Sequence, residues 1–147
     1  MLENYVYEGG YASTVDSIQQ VIDTGKKCTP ENIIAVTELP NGQIVWLETG
    51  SVGGNGKKAA GLAHILDQHM QDFANNGIAP EQIPDIVFDA ITQGELVGTL
   101  GEQIPPRPVY LIVYNGKPLY IAVTVGSNGF VVGANPISSD KIKGDKE

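Results

Sequence analysis

The chain has 147 residues, 41% of them hydrophobic, and a net charge of −8 from 17 acidic and 9 basic side chains. That length suits one globular domain with a real core, and the charge argues against a broad electrostatic grip on nucleic acid. No apolar run approaches the ~18 residues of a spanning helix, the acidic N-terminus lacks the apolar stretch of a secretory signal, and a lone cysteine, Cys28, excludes an internal disulfide or a cysteine-based zinc cluster. A cytoplasmic setting is the expectation, with no membrane contact.

Residues 1–12, with Tyr5, Tyr7 and Tyr11 around Gly9-Gly10, read as an irregular or extended lead-in. Ser13 or Thr14 is placed to cap a helix over Val15–Thr24, where Val15, Ile18, Val21 and Ile22 recur at helical spacing and Gly25 stops the run. Lys26-Lys27 then complement the negative helix end. Ile33–Leu39 and Gln43–Leu47 are strand-like runs around Pro40-Asn41-Gly42, a hairpin whose Asn-Gly pair supplies the positive φ of a tight turn. A glycine-rich loop, Gly50 to Gly61, leads into a helix over about Ala59–Ala74, with Leu62, Ile65, Leu66, His69 and Phe73 on one stripe and Asn75-Asn76-Gly77 at its end. A further helix covers about Pro80 or Ile83 to Thr92, with Pro80 suited to a first helical turn.

Residues 94–108, rich in glycine and proline, read as a connector. Three strands follow: Val109–Tyr114, Leu119–Val125 and Phe130–Ala134. They are apolar on both alternations, as expected when helices cover one face of a sheet and something else covers the other. The order α-β-β-α-α-β-β-β indicates an α+β fold, helices followed by an antiparallel sheet. Residues 1–136 form a single domain on this reading, and 137–147 a polar tail expected to fray.

The chemistry concentrates between Trp46 and His69, which holds both histidines, the only tryptophan and the pair Lys57-Lys58. Ser51-Val52-Gly53-Gly54-Asn55-Gly56-Lys57-Lys58 has the look of a phosphate-cradling loop, but Ala59 stands where the nucleotide-binding pattern G-x-x-x-x-G-K-[ST] needs Ser or Thr. Such a loop before a helix N-terminus can still hold a phosphate on free N–H groups, with the lysines adding charge. The plainer alternative is a surface loop with solvated lysines. His64 and His69 lie about 140° apart on a helix, so they cannot ligate one metal as an i, i+4 pair would. The stripe places His69 toward the sheet and His64 away from it. Imidazole exchanges protons near neutral pH, which makes both candidate acid–base groups; a core His69 and a surface His64 are the alternatives. Glu48 reads as a solvent-facing strand residue, and Thr124, Ser127 and Asn128 as strand-end and turn residues. Arg107, the only arginine, stands between prolines, either to hold a phosphate or as a loop residue.

Gly61-Leu62-Ala63-His64-Ile65-Leu66-Asp67-Gln68-His69, followed by Phe73 and Gly77-Ile78, resembles a G-L-x-H-I-L-x-x-H helix pattern of the Barnase/EndoU/colicin/RelE-like nuclease superfamily. Such domains occur in phage-borne proteins and at the C-termini of polymorphic toxins, including contact-dependent inhibition toxins. The run Ile121 to Pro136 resembles their closing strands. The resemblance spans roughly Ile33 to Pro136. It implies metal-independent RNA cleavage without a cofactor, in which a base deprotonates the ribose 2′-OH, that oxygen attacks phosphorus, and an acid protonates the leaving 5′-oxygen. Carried over, His64, His69 and Thr124 are the catalytic candidates. Lys57, Lys58, Arg107, Ser127 and Asn128 are the substrate-binding ones. An RNA substrate, a cognate immunity protein and action in a target cell's cytoplasm follow. The competing reading is a non-catalytic interaction module, or a degenerate nuclease fold of phage or toxin origin, which the acidic charge and scarce arginine favour.

Overall fold

Thr14 starts the first helix. Its Oγ1 accepts the Ser17 N–H (3.0 Å) and Ser17 Oγ accepts the Thr14 N–H (2.7 Å), a reciprocal cap at the head of α1 (Val15–Asp23). The structure, a computed structural model, describes residues 10–54, 56–101 and 106–143. The lead-in around Tyr5 and Tyr7, Asn55 of the glycine loop, Pro105 of the connector and residues 144–147 of the tail lie outside them.

β1 (Ile33–Glu38) and β2 (Ile44–Glu48) form the expected hairpin. Gly42 takes φ +91° in its turn and donates its N–H to Leu39 O (2.8 Å), a conformation that glycine adopts at little cost. α2 (Gly61–Ala74) ends on the predicted glycine. Gly77 takes φ +81°, while the Ile78 N–H reaches back to Phe73 O (3.0 Å). A 3-10 turn at Pro80–Gln82 opens into α3 (Ile83–Gln93).

The second sheet is an antiparallel meander in the order β3 (Glu95–Leu100), β4 (Arg107–Tyr114), β5 (Lys117–Val125) and β6 (Val131–Ile137). The protein is therefore α+β, a single domain with two antiparallel sheets. β3 lies where the sequence suggested a connector. Its alternation is broken by Gly98, where the β3–β4 register shifts. A Cβ at Gly98 would lie 2.4 Å from Lys143 O, so the glycine admits the C-terminal segment. That segment is the second difference from expectation. β6 runs on to Ile137, Thr99 and Lys143 exchange backbone hydrogen bonds (3.0 and 2.7 Å), and Ile142 is only 5% exposed. Residues 137–143 belong to the fold because Ile142 seals an apolar patch with Val109 and Ala122.

The larger core lies on the other face of the four-stranded sheet. There Ile112, Ile121 and Val123 meet Ile65 and Phe73 of α2 and Ile86 of α3. The two sheets are joined through Trp46. Its N–H donates to Gly129 O (2.9 Å), its ring packs edge-on against Phe130, and its indole N–H donates to Glu48 Oε2 (2.9 Å). Gly129 makes that approach possible: at φ +107°, a Cβ there would lie 2.2 Å from Ile44 O. Gly129→Ala is expected to lower unfolding free energy by about 2–4 kcal/mol, combining backbone strain with overpacking. Gly25→Ala, also at positive φ but with nothing within 4 Å, should lose only about 1–2 kcal/mol. Urea unfolding of the two variants checks the difference.

Candidate functional site

The glycine loop closes on itself. Ser51 and Ala60 exchange backbone hydrogen bonds (both 2.9 Å), and the Lys57 N–H donates to Gly54 O (2.9 Å). A Cβ at Gly50 would lie 2.0 Å from Ala60 O, and one at Gly61 would lie 2.8 Å from Glu48 O. These two glycines serve the contact of backbone with backbone at the loop's base. In the first turn of α2, the Ala63 N–H donates to Thr49 O (2.8 Å). The loop is thus a zipped hairpin, and part of the anion-binding capacity expected at the helix start is already occupied. The side chains of Lys57 and Lys58 are exposed and make no hydrogen bond or ion pair among the described residues.

The histidines are oriented opposite to expectation. His69 leans out of the apolar stripe and donates from Nδ1 to Asp72 Oδ2 (2.9 Å), on the exposed side of α2. His64 packs onto β6. Its Cδ2 and Nε2 lie 3.4 and 3.7 Å from where a Cβ of Gly133 would project. Gly133 offers no side chain, so α2 and β6 sit close and the ring fills the gap. His64 Nδ1 is enclosed and has no hydrogen-bond partner, and it is the one such buried side-chain atom among the described residues. Buried polar atoms are rarely left this way.

Gly133 is the cross-strand partner of Thr124, and Asn135 that of Ala122. Paired residues project to the same side of a sheet and alternate along each strand. That alternation sets Thr124, Asn135 and Arg107 on the side of Ala122 and Ile142, while His64 reaches β6 at Gly133, beside a register shift, from α2, whose Ile65 and Phe73 pack on the opposite face. Arg107 ties Thr124 and Asn135 together. Its Nε donates to Thr124 Oγ1 (2.9 Å) and its Nη2 to Asn135 Oδ1 (2.6 Å). Both acceptors are neutral. In a chain with 17 acidic residues, its only arginine is half-buried and pairs with no carboxylate among the described residues. Burial pulls its pKa below the ordinary value, although a guanidinium keeps its charge near neutral pH. With one edge held by the protein, the remaining N–H groups of the fork are free to meet an oxyanion.

Of the candidates read from sequence, the structure joins Arg107 to Thr124 and adds Asn135, while His64 stands on α2 against Gly133. Asn135 has a signal in the sequence, a polar residue within the apolar run Val131–Ile137. Lys57 and Lys58 are exposed on the glycine loop, and His69 pairs with Asp72. Ser127 is exposed in the β5–β6 turn, and Asn128 is committed to that turn, with Oδ1 accepting the Phe130 N–H (3.1 Å). Grooves of about 470 and 270 Å³ meet at Asn75 and Asn76, at the far end of α2 from His64.

Two buried acids belong to the scaffold. Glu48 is 8% exposed, contrary to the solvent-facing expectation, because Oε2 accepts both the Trp46 indole N–H and the Thr29 N–H (2.9 and 3.0 Å). Asp89 is fully buried and accepts the Tyr11 hydroxyl (2.6 Å). Burial also raises the Tyr110 hydroxyl pKa. No protein-family model matches the chain, and no curated protein matches it.

Cys28 lies near Glu48, and its thiol pKa is raised, first by burial and second by that carboxylate's charge. Since the thiolate is the reactive form, alkylation of the folded protein should require higher pH than alkylation of a free thiol. Glu48→Gln should move the profile only part of the way back, because burial is the larger cause. The rate of iodoacetamide labelling against pH checks both statements.

Proposed function

We propose that the protein is a metal-independent ribonuclease whose active centre is the group His64, Arg107, Thr124 and Asn135. The observation that carries the reading is the half-buried guanidinium held by two neutral acceptors and paired with no acid. Such a cation is best satisfied by an anionic ligand, and the two non-bridging oxygens of a phosphodiester fit the free part of its fork. His64, which meets β6 at Gly133, the strand partner of Thr124, is assigned the proton transfer. Nδ1 is enclosed, so Nε2 is the nitrogen assigned to catalysis.

In the proposed reaction His64 takes the proton of a ribose 2′-OH and the 2′-oxygen attacks the adjacent phosphorus. Arg107 stabilises the charge that develops, and the bond to the 5′-oxygen breaks. The imidazolium then returns its proton to that leaving oxygen. Thr124 and Asn135 orient the guanidinium. One histidine performs both transfers, in place of the His64–His69 pair suggested by the sequence. Requiring the 2′-OH restricts the substrate to RNA. As a delivered toxin domain, the protein would act in the cytoplasm of a target cell, and a producing cell would need an immunity protein covering His64.

One observation favours the competing reading of a non-catalytic binding module: only one imidazole, that of His64, meets the four-stranded sheet, where cleavage of this kind commonly uses separate base and acid groups. Incubation with total RNA in EDTA separates the two. Cleavage should fall about 10²-fold or more in His64→Ala, the scale of lost acid–base catalysis, and about 10²–10³-fold in Arg107→Lys, the scale of lost electrostatic stabilisation. His69→Ala should remain close to the parent. RNA left intact by the parent protein, with a protein partner retained on the His64 face, would select the binding module.

A further inference from the structure

Each of four Asn-Gly pairs among the described residues sits in a turn: Asn41-Gly42, Asn76-Gly77, Asn115-Gly116 and Asn128-Gly129. Asn-Gly is the pair most prone to spontaneous loss of the side-chain amide, because glycine adds no side chain to hinder attack by its own nitrogen. Three of the four are held at both reacting groups. Asn41 Oδ1 accepts the Gln43 N–H (2.9 Å), while the Gly42 N–H donates to Leu39 O (2.8 Å). Asn76 Nδ2 donates to Asp72 O (2.8 Å), while the Gly77 N–H donates to Ala74 O (2.9 Å). Asn128 Oδ1 accepts the Phe130 N–H (3.1 Å), while the Gly129 N–H donates to Gly126 O (2.9 Å).

Asn115-Gly116 differs. It is the exposed two-residue turn between β4 and β5, with φ +52° and +77°. Neither the Asn115 amide nor the Gly116 N–H has a hydrogen-bond partner among the described residues, so the electrophile and the nucleophile are both unrestrained. We propose that Asn115 is the deamidation site of the folded protein within this set. The Gly116 nitrogen loses its proton and attacks Asn115 Cγ. The Cγ–Nδ2 bond breaks, ammonia leaves, and a five-membered succinimide forms. Water then opens the ring at either carbonyl, giving aspartate or isoaspartate.

The site has a structural consequence. Asn115 lines the 470 Å³ groove beside Lys117, so either product places a carboxylate next to that ammonium group. Isoaspartate also lengthens the backbone by one carbon in a two-residue turn, which cannot retain the same β4–β5 register. The modification therefore alters both the charge of the groove and the geometry of its rim.

Peptide mass spectrometry after incubation of the full chain at 37 °C and pH 8.5, with a parallel sample in urea, tests the proposal. In the folded sample, Asn115 should deamidate several times faster than Asn41, Asn76 or Asn128, and the urea sample should bring the four rates together. Gly116→Ala should slow the reaction at Asn115 alone. A folded protein in which Asn41, Asn76 or Asn128 leads, or in which all four react equally, overturns it.

Discussion

The contact between Trp46 and the β5–β6 turn holds the molecule's two sheets in one piece. The Trp46 N–H to Gly129 O bond fixes the turn, and the Phe130 ring against the indole fixes its tilt. Everything downstream on β6 follows from that anchor. Gly133 comes to lie under α2, and its neighbours Thr124 and Asn135 come within reach of Arg107. Glu48 completes the anchor from beneath by accepting the indole N–H. A buried carboxylate there is a structural acceptor, and its two N–H partners compensate the loss of hydration.

Seen from this anchor, the polar cluster is an exception to the rest of the protein. Buried charges in proteins usually meet an opposite charge. Arg107 meets two neutral oxygens, and the His64 imidazole on α2 leaves one nitrogen unpaired. A guanidinium without an anionic partner is costly to the apo fold, and it is this deficit that links the scaffold to the proposed phosphodiester chemistry. The overall charge of −8 is compatible with it, since local cations can select an anion where the surrounding surface repels polyanions at large.

Local signals in the sequence reached the elements whose causes are local. The α1 cap, the Asn41-Gly42 turn, the glycine end of α2 and the three apolar strands were legible because short-range spacing dictates each of them. β3 was not, because it is an edge strand whose alternation Gly98 interrupts, and its reason for existing is the distant segment around Ile142. The facing of the histidines failed for a similar reason. Stripe periodicity assigns His69 to the core, but Asp72 one turn on draws it outward, and the vacancy that admits His64 is created by Gly133, about seventy positions away. Arg107 and Thr124 were recognised singly. Their pairing depends on strand register, and so does the inclusion of Asn135, which no linear spacing reveals.

The most direct test of the central claim is an NMR titration of the full chain with an uncleavable 2′-deoxy dinucleotide. Binding at the proposed centre should shift the Arg107 Nε–H, the Asn135 side-chain amide and the His64 ring resonances together, and Arg107→Gln should abolish the response. Shifts confined to Lys57, Lys58 or His69, or no shift at the Arg107 guanidinium at saturating ligand, would contradict it.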